Sequence, residues 1–272
     1  MRGMAPRRSS RKAATAARMY DYYLGGIHNF PADREAAEKV IAEFPFVPLL
    51  ARANRAFLQY AVRHLVDAGV RQFLDLGSGI PTAGNVHEIA QEKTPDARVV
   101  YVDIDPVAVA ESLDLLKGND LATAVRADIR HPDDVLDHPR TRRLLDRDRP
   151  IAVMMAAVLH FVPDDAEAYE LVAGFVEALA PGSYVVVSHI ATESFIPETA
   201  KGQAATEVYE RQTATPIRPR DRAEVRRFFA GLELLNPDLI WPSDWRLDES
   251  AAAEFAELRL QGAGWIGVGR RT

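Results

Sequence analysis

"RQFLDLGSGIPTAGNVHEIA", residues 71–90, is the stretch whose reading decides the fold. Phe73 to Leu76 is a short apolar run of strand length. Gly77 and Gly79 then allow a tight turn, and "AGNVHEIAQEK" continues with helical periodicity. Strand, turn and helix in that order form one half of a parallel crossover unit. The unit repeats downstream: "ARVVYVDIDP" leads into the helical "PVAVAESLDLLK", and "ATAVRADIR" leads into a polar, proline-interrupted segment from His131 to Arg149. "PIAVMMAAVLHF" is a fourth, almost wholly apolar strand, and a fifth, "YVVVSHI", follows an amphipathic helix and a Pro-Gly turn. Apolar strands alternating with helices predict an α/β protein whose mostly parallel sheet is covered on both faces. "GLELLNP" and "AGWIGVGRR" read as two terminal strands.

Two helices precede the sheet. "DREAAEKVIAEF" stops at Pro45, and "PLLARANRAFLQYAVRHLVDAG" ends at Gly69. Before them lies "ARMYDYYLGGIHNFPADR", which concentrates Tyr20, Tyr22, Tyr23 and Phe30 around a Gly25-Gly26 pair. The organisation expected is a disordered basic tail over 1–16 and a single domain over 17–272. That domain divides into an N-terminal helical lid (17–69), a cofactor-binding core (70–191), an acceptor-side helical insertion (192–230) and C-terminal strands (231–272).

Composition narrows the chemistry. The chain has 272 residues, 47% of them hydrophobic, and no apolar run near the roughly 20 residues needed to cross a bilayer, so a cytoplasmic protein is expected. There is no cysteine, which removes disulfides, thiolate metal sites and cysteine nucleophiles. Residues 1–18 carry six basic residues and no acid, while the whole chain is at −6. "RRSSRK" therefore reads as a solvated tail, and the acidic body argues against a nucleic-acid surface.

In an open parallel sheet, ligands bind beyond the carboxyl ends of the strands. Four tips qualify. In "DLGSGI", Gly77 and Gly79 let the backbone approach a ligand and Asp75 can hold the loop or accept from a ligand amine. The nucleotide form of this loop needs a third glycine, but Ile80-Pro81-Thr82 follows, which suits a ligand without phosphates. Asp103 ends the second strand, twenty-four residues after Gly79, where an acid can accept from two ribose hydroxyls. Asp105, before Pro106, reads as a helix N-cap. Asp128 in "RADIR" can accept from an exocyclic amine. Ala156 and Ala157 leave room beside His160, whose ordinary pKa of about 6.5 suits a general base. Each tip also reads as an ordinary capped strand end; their order together is the stronger signal. His28, His87 and His189 are further candidates, and no metal triad stands out.

These motifs resemble class I S-adenosyl-L-methionine-dependent methyltransferases: "FLDLGSGI" their glycine loop, "VVYVDIDP" their ribose segment, "RADIR" their adenine segment, "MMAAVLHFVPDD" their fourth-strand motif and "LAPGSYVVVSH" their fifth strand. More narrowly, "ARMYDYYLGGIHNFPADR", "ARANRAFLQYAVRHL", "GIPTAGNVHEIA" and "GVGRR" are similar to one bacterial family of S-adenosyl methyltransferases long labelled a domain of unknown function. The resemblance implies a Rossmann-like seven-stranded sheet with one antiparallel strand near the C-terminus. It implies S-adenosyl-L-methionine as cofactor, with Asp75, Gly77, Ser78 and Gly79 around its methionine part. Asp103 and Ile104 would meet the ribose, and Asp128 and Ile129 the adenine. Ala156 and Ala157 would line the site. Read from its own residues, the N-terminal segment is either a lid, with Tyr20 or Tyr23 against the cofactor, Gly25-Gly26 as a flexible joint, Asn29 hydrogen-bonding to the cofactor and Arg55 pairing with its carboxylate, or a Gly-Gly break beside a packed aromatic cluster. Pro81 departs from the family-wide third glycine.

The expected activity is metal-independent methylation of a small-molecule acceptor at O, N or C. "AAVLHF" lacks the Asn/Asp-Pro-Pro-aromatic tetrad of amino methyltransferases that act on bases or protein glutamine. Two alternatives are a non-catalytic binding module and a nicotinamide-dependent oxidoreductase. The second would want the third glycine and a Tyr-x-x-x-Lys pair, which the sequence lacks.

Overall fold

The computed structural model describes residues 13–80, 84–193, 199–213, 215–235, 238–245, 253–255 and 264–272. Pro81 and Thr82 of the glycine loop, and residues 194–198 of the acceptor-side insertion, lie outside the described residues. Three helices open the chain: α1 (Ala16–Tyr23), α2 (Pro31–Glu43) and α3 (Val47–Asp67). The sheet strands are β1 (Gln72–Leu76), β2 (Arg98–Asp103), β3 (Ala122–Arg126), β4 (Ala152–Ala156), β5 (Tyr184–Ile190), β6 (Glu233–Leu234) and β7 (Gly264–Arg270). Between them run α4 (Val86–Lys93), α5 (Pro106–Leu115), α6 (Pro132–Leu136), α7 (Pro139–Leu144), α8 (Asp165–Glu177), α9 (Ala200–Val208) and α10 (Arg222–Arg226).

Strand order is β3-β2-β1-β4-β5-β7-β6. β1 to β5 pair in parallel, and β7 is antiparallel to both β5 and β6. The Rossmann-like seven-stranded sheet with one antiparallel strand is therefore as expected. Alternate residues feed two separate cores. Leu74, Leu76, Val100 and Val102 pack on one face, and Phe73, Val99 and Tyr101 on the other. Burial on both faces explains why the strands read as continuous apolar runs rather than as alternating ones.

Strand order reverses between β1 and β4, so their carboxyl tips splay around a crevice. Local chemistry ends and starts the elements that frame it. Gly69, at φ +93°, closes α3 through Val70 N–H to the Leu65 carbonyl at 2.9 Å. Asp105 caps α5 by accepting from Val107 N–H at 2.8 Å, as read from the sequence. α6 and α7 both begin at prolines, which fit the first helical turn. Among the described residues, no helix is long and apolar enough to cross a membrane.

Candidate active site

A cavity of about 890 Å³ lies over the β1–β4 crevice. The tips of β1, β2, β3 and β4 line it with Asp75, Gly77, Ser78, Gly79, Asp103, Ile104, Asp128, Ile129, Ala156 and Ala157. From the N-terminal helices come Tyr20, Tyr23 and Arg55, and from the segment after β4 comes His160. The structure thus brings to one cavity every residue expected around the cofactor except Asn29, and of the further histidine candidates His189 lines it while His28 and His87 do not.

Asn29 is a correction. Its amide donates to the Asp21 carboxylate at 2.8 Å and to the Gly26 carbonyl at 2.9 Å, and its oxygen accepts from Arg34 at 2.8 Å. It is a turn residue spent on its neighbours. Of the Gly25-Gly26 pair, only Gly26 is packed closely. A Cβ on Gly26 would stand 2.0 Å from the buried Asp21 carboxylate. His87 faces away too, its Nδ1 2.7 Å from the Tyr101 hydroxyl.

The glycine loop is held by the second strand. Gly77 N–H and Ser78 N–H donate to the Val102 carbonyl, and Gly79 N–H donates to Asp103 Oδ2 at 2.8 Å. The other oxygen of Asp103 accepts from Asp105 N–H at 2.8 Å. The two glycines serve different ends. A Cβ on Gly77 would meet Val158 Cγ2 at 2.2 Å, because the β1 and β4 tips touch there. On Gly79, at φ +65°, it would meet no described atom within 4 Å. Gly77→Ala is therefore expected to lower thermal stability markedly. Gly79→Ala should cost only the backbone strain, about 1 kcal/mol, yet obstruct a ligand. Melting curves with and without S-adenosyl homocysteine separate the two; equal destabilisation would contradict the assignment.

Burial sets the electrostatics. Asp75 is pushed up to about 7, chiefly by burial, with Arg55 pulling it down and Asp103 pushing it further up. Burial also raises Asp103, against the backbone amides that lower it. Asp128 is held low by Arg130, whose Nε lies 3.0 Å from both of its oxygens. Arg55 donates from Nη2 to Asn85 Oδ1 at 2.9 Å.

His160 departs from the sequence expectation of an ordinary pKa. Burial and then the neighbouring Arg220 push it down to about 3, and its Nδ1 has no hydrogen-bond partner. His189 is lowered well below its usual value, first by burial and then by His160. Arg220 is fully buried and organises this corner. It donates to the Leu159 and Val162 carbonyls at 3.1 and 2.8 Å and to Asp165 at 3.0 Å, and it lies 3.0 Å from His189 Nε2. A histidine held neutral in the fold protonates only in the unfolded chain as pH drops below about 6.5. Its stability contribution is complete above that pH and lost toward about 3. His160→Gln is expected to flatten the acid side of the melting-temperature profile relative to wild type. Parallel profiles would contradict the burial argument.

Four polar residues absent from the sequence reading fasten the site. Arg18, there counted with the basic tail, is buried. Its Nε meets Asp33 at 2.9 Å, its Nη1 meets Asp105 at 3.0 Å, and its Nη2 donates to the Ala13 carbonyl. Thr15 joins the cluster, donating to Asp105 at 2.7 Å through its hydroxyl. A second chain of bonds starts at Ala157, whose φ of +55° is strained for a residue with a Cβ. Its N–H donates to Ser188 Oγ at 2.8 Å, and Ser188 donates to Asn54. Asn54 donates to the Tyr20 hydroxyl at 2.8 Å, which donates to the Ala51 carbonyl at 3.1 Å. α1 is thereby fixed to the tips of β2, β4 and β5. The partners lie 87 residues apart for Arg18 and Asp105 and 134 for Asn54 and Ser188, so no local pattern signals them.

A family model described as S-adenosyl methyltransferase matches residues 3–272. A DUF574 family protein from Streptomyces avermitilis is 39% identical with a TM-score of 0.88, the match covering 96% of this chain and 98% of that one. A candidate methyltransferase from Thermobifida fusca is 35% identical with a TM-score of 0.85, covering 97% of each chain. The plantazolicin methyltransferase BamL, solved with S-adenosyl homocysteine, shares the fold at 8% identity and a TM-score of 0.52, covering 94% of this chain and 95% of that one. No curated protein matches. The chain belongs to the S-adenosyl methyltransferase family. It is an S-adenosyl-L-methionine-dependent methyltransferase.

Proposed function

We propose that the enzyme methylates a small-molecule acceptor without a metal ion, using one cavity over the strand tips for cofactor and acceptor together. The observation that carries this reading is the cavity's polarity: carboxylates crowd one end, apolar and aromatic side chains the other, and Ala156, Ala157 and His160 lie on the same lining.

The donor set fits the cofactor. Open space beside Gly79 admits close backbone approach, and Asp103, tied to the loop through Gly79 N–H, is the buried carboxylate a ribose diol would meet. Asp75 would take the ammonium, Arg55 the carboxylate, and Asp128 with Ile129 the adenine. When bound, the cofactor supplies an electrophilic methyl group on a sulfonium.

The chain's own residues orient the acceptor and exclude water, which is most of what an in-line displacement requires. With its pKa near 3, His160 orients the nucleophile through a hydrogen bond rather than storing its proton. Among the described residues no three His, Asp or Glu side chains cluster to hold a metal. Radiolabelled methyl transfer to a small-molecule panel, with and without a chelator, tests this. Turnover that survives chelation is expected. Cofactor binding with no turnover across a broad panel would favour a non-catalytic module.

A further inference from the structure

We infer that the acceptor presents an uncharged, flat aromatic body to the enzyme, with a single hydroxyl or N–H group toward His160. This rests on the methyltransferase reading above and goes on to name the substrate class.

Beside the tips of β4 and β5 the cavity has an apolar wall. Val47, Phe161, Ile190, Tyr209 and Ile217 pack together in a single cluster and all line the cavity. The Phe161 and Tyr209 rings stand 6.0 Å apart at 50°, and Tyr23 meets Tyr209 hydroxyl to hydroxyl at 3.3 Å. The two phenols engage each other, and burial raises both pKa values, so neither is an anion. Tyr209 begins a π-helical turn, Tyr209–Thr213, that follows α9 directly. Such turns re-aim side chains and recur at functional sites.

Formal charge is confined elsewhere. Asp75, Asp103, Asp128, Arg18, Arg55 and Arg130 line the end formed by the β1 to β3 tips and the N-terminal helices, and Glu167 lies beside Arg130. Arg218, next to Ile217 in the chain, and Arg220 are already paired. Arg218 pairs with Asp165 and Glu224, both at 2.7 Å, and Arg220 with Asp165, carbonyls and His189. Among the described residues, that wall offers a charged acceptor no counter-charge. Moving an ion out of water onto such a surface is strongly unfavourable, whereas a flat ring gains both burial and ring-edge contacts. A polar handle on this side of the lining is the neutral imidazole of His160, tilted over Phe161 with ring centroids 4.3 Å apart.

The experiment titrates three probes of one shape, 2-naphthol, 2-naphthoate and 2-naphthylmethylammonium, into enzyme saturated with S-adenosyl homocysteine. The neutral phenol is expected to bind at least about tenfold more tightly than either ion. Tyr209→Ala should weaken 2-naphthol about tenfold while Tyr209→Phe retains it, and S-adenosyl homocysteine affinity should hold in both. Equal or tighter binding of an ion overturns the inference, as does 2-naphthol binding indifferent to Tyr209→Ala. If S-adenosyl homocysteine binds and 2-naphthol does not, the inference alone fails. If S-adenosyl homocysteine does not bind, the functional reading beneath it fails.

Discussion

Replacing Arg18 with methionine is expected to lower the melting temperature by about 10 °C. The guanidinium lies between Asp33 and Asp105, whose side chains are 0% and 6% exposed. Methionine fills much of the volume but leaves two carboxylates in the interior without their cation. Breaking a buried pair in this way costs about 3–5 kcal/mol, and for a chain of this length each kcal/mol shifts melting by roughly 2–4 °C. Adding Asp33→Asn should recover part of the loss, since a neutral amide tolerates burial and its one oxygen can still accept from either Thr15 N–H or Phe30 N–H, which the carboxylate takes on separate oxygens. A single variant that melts with wild type would show that the N-terminal helix is not clamped to the sheet. Because Asp105 stands two residues beyond Asp103, the same variant should also weaken cofactor binding.

The second large effect is a pH dependence of cofactor affinity. Burial keeps Asp75 protonated up to about 7 in the ligand-free protein. A ligand ammonium beside it requires the carboxylate, so binding below that pH must expel a proton. Affinity for S-adenosyl homocysteine is expected to fall about tenfold per pH unit below 7, and to level off above it. Titrations in two buffers of different ionisation heat would detect the released proton. Asp75→Asn should bind weakly and without this slope. A wild-type affinity constant from pH 5 to 8 would separate Asp75 from the ligand amine. For stability the sign is opposite to that of His160. Asp75 keeps a proton that the unfolded chain loses above about 3.8, so it disfavours folding as pH rises toward 7.

What the sequence made legible is what is local. The glycine loop, the acid ending β2 and the N-cap at Asp105 each declare themselves within ten residues, because tight turns and capped helices require particular side chains at particular offsets. The order of those units then placed Asp75, Asp103, Asp128 and Ala156 at one crevice. Arg18 was hidden because its value depends on Asp33 and Asp105, which only the folded chain brings together. Asn54 and Ser188 were hidden for the same reason. Asn29 misled in the reverse direction: a polar residue beside two glycines resembles a ligand contact, but the buried Asp21 close by takes its amide and crowds Gly26. The His160 imidazole was visible at the strand tip, but its pKa was not, since burial and the approach of Arg220 arise from the insertion that folds back over it.

The central claim is that the carboxylates at the strand tips hold the cofactor, with Asp103 foremost. Calorimetric titration of wild type and Asp103→Ala with S-adenosyl homocysteine tests it most directly, with the ligand-free melting temperature of each recorded alongside. Loss of two charge-assisted hydrogen bonds predicts affinity at least about 100-fold weaker in the variant, far beyond any change in its ligand-free stability. Affinity within threefold of wild type, from a variant that melts normally, would contradict the account.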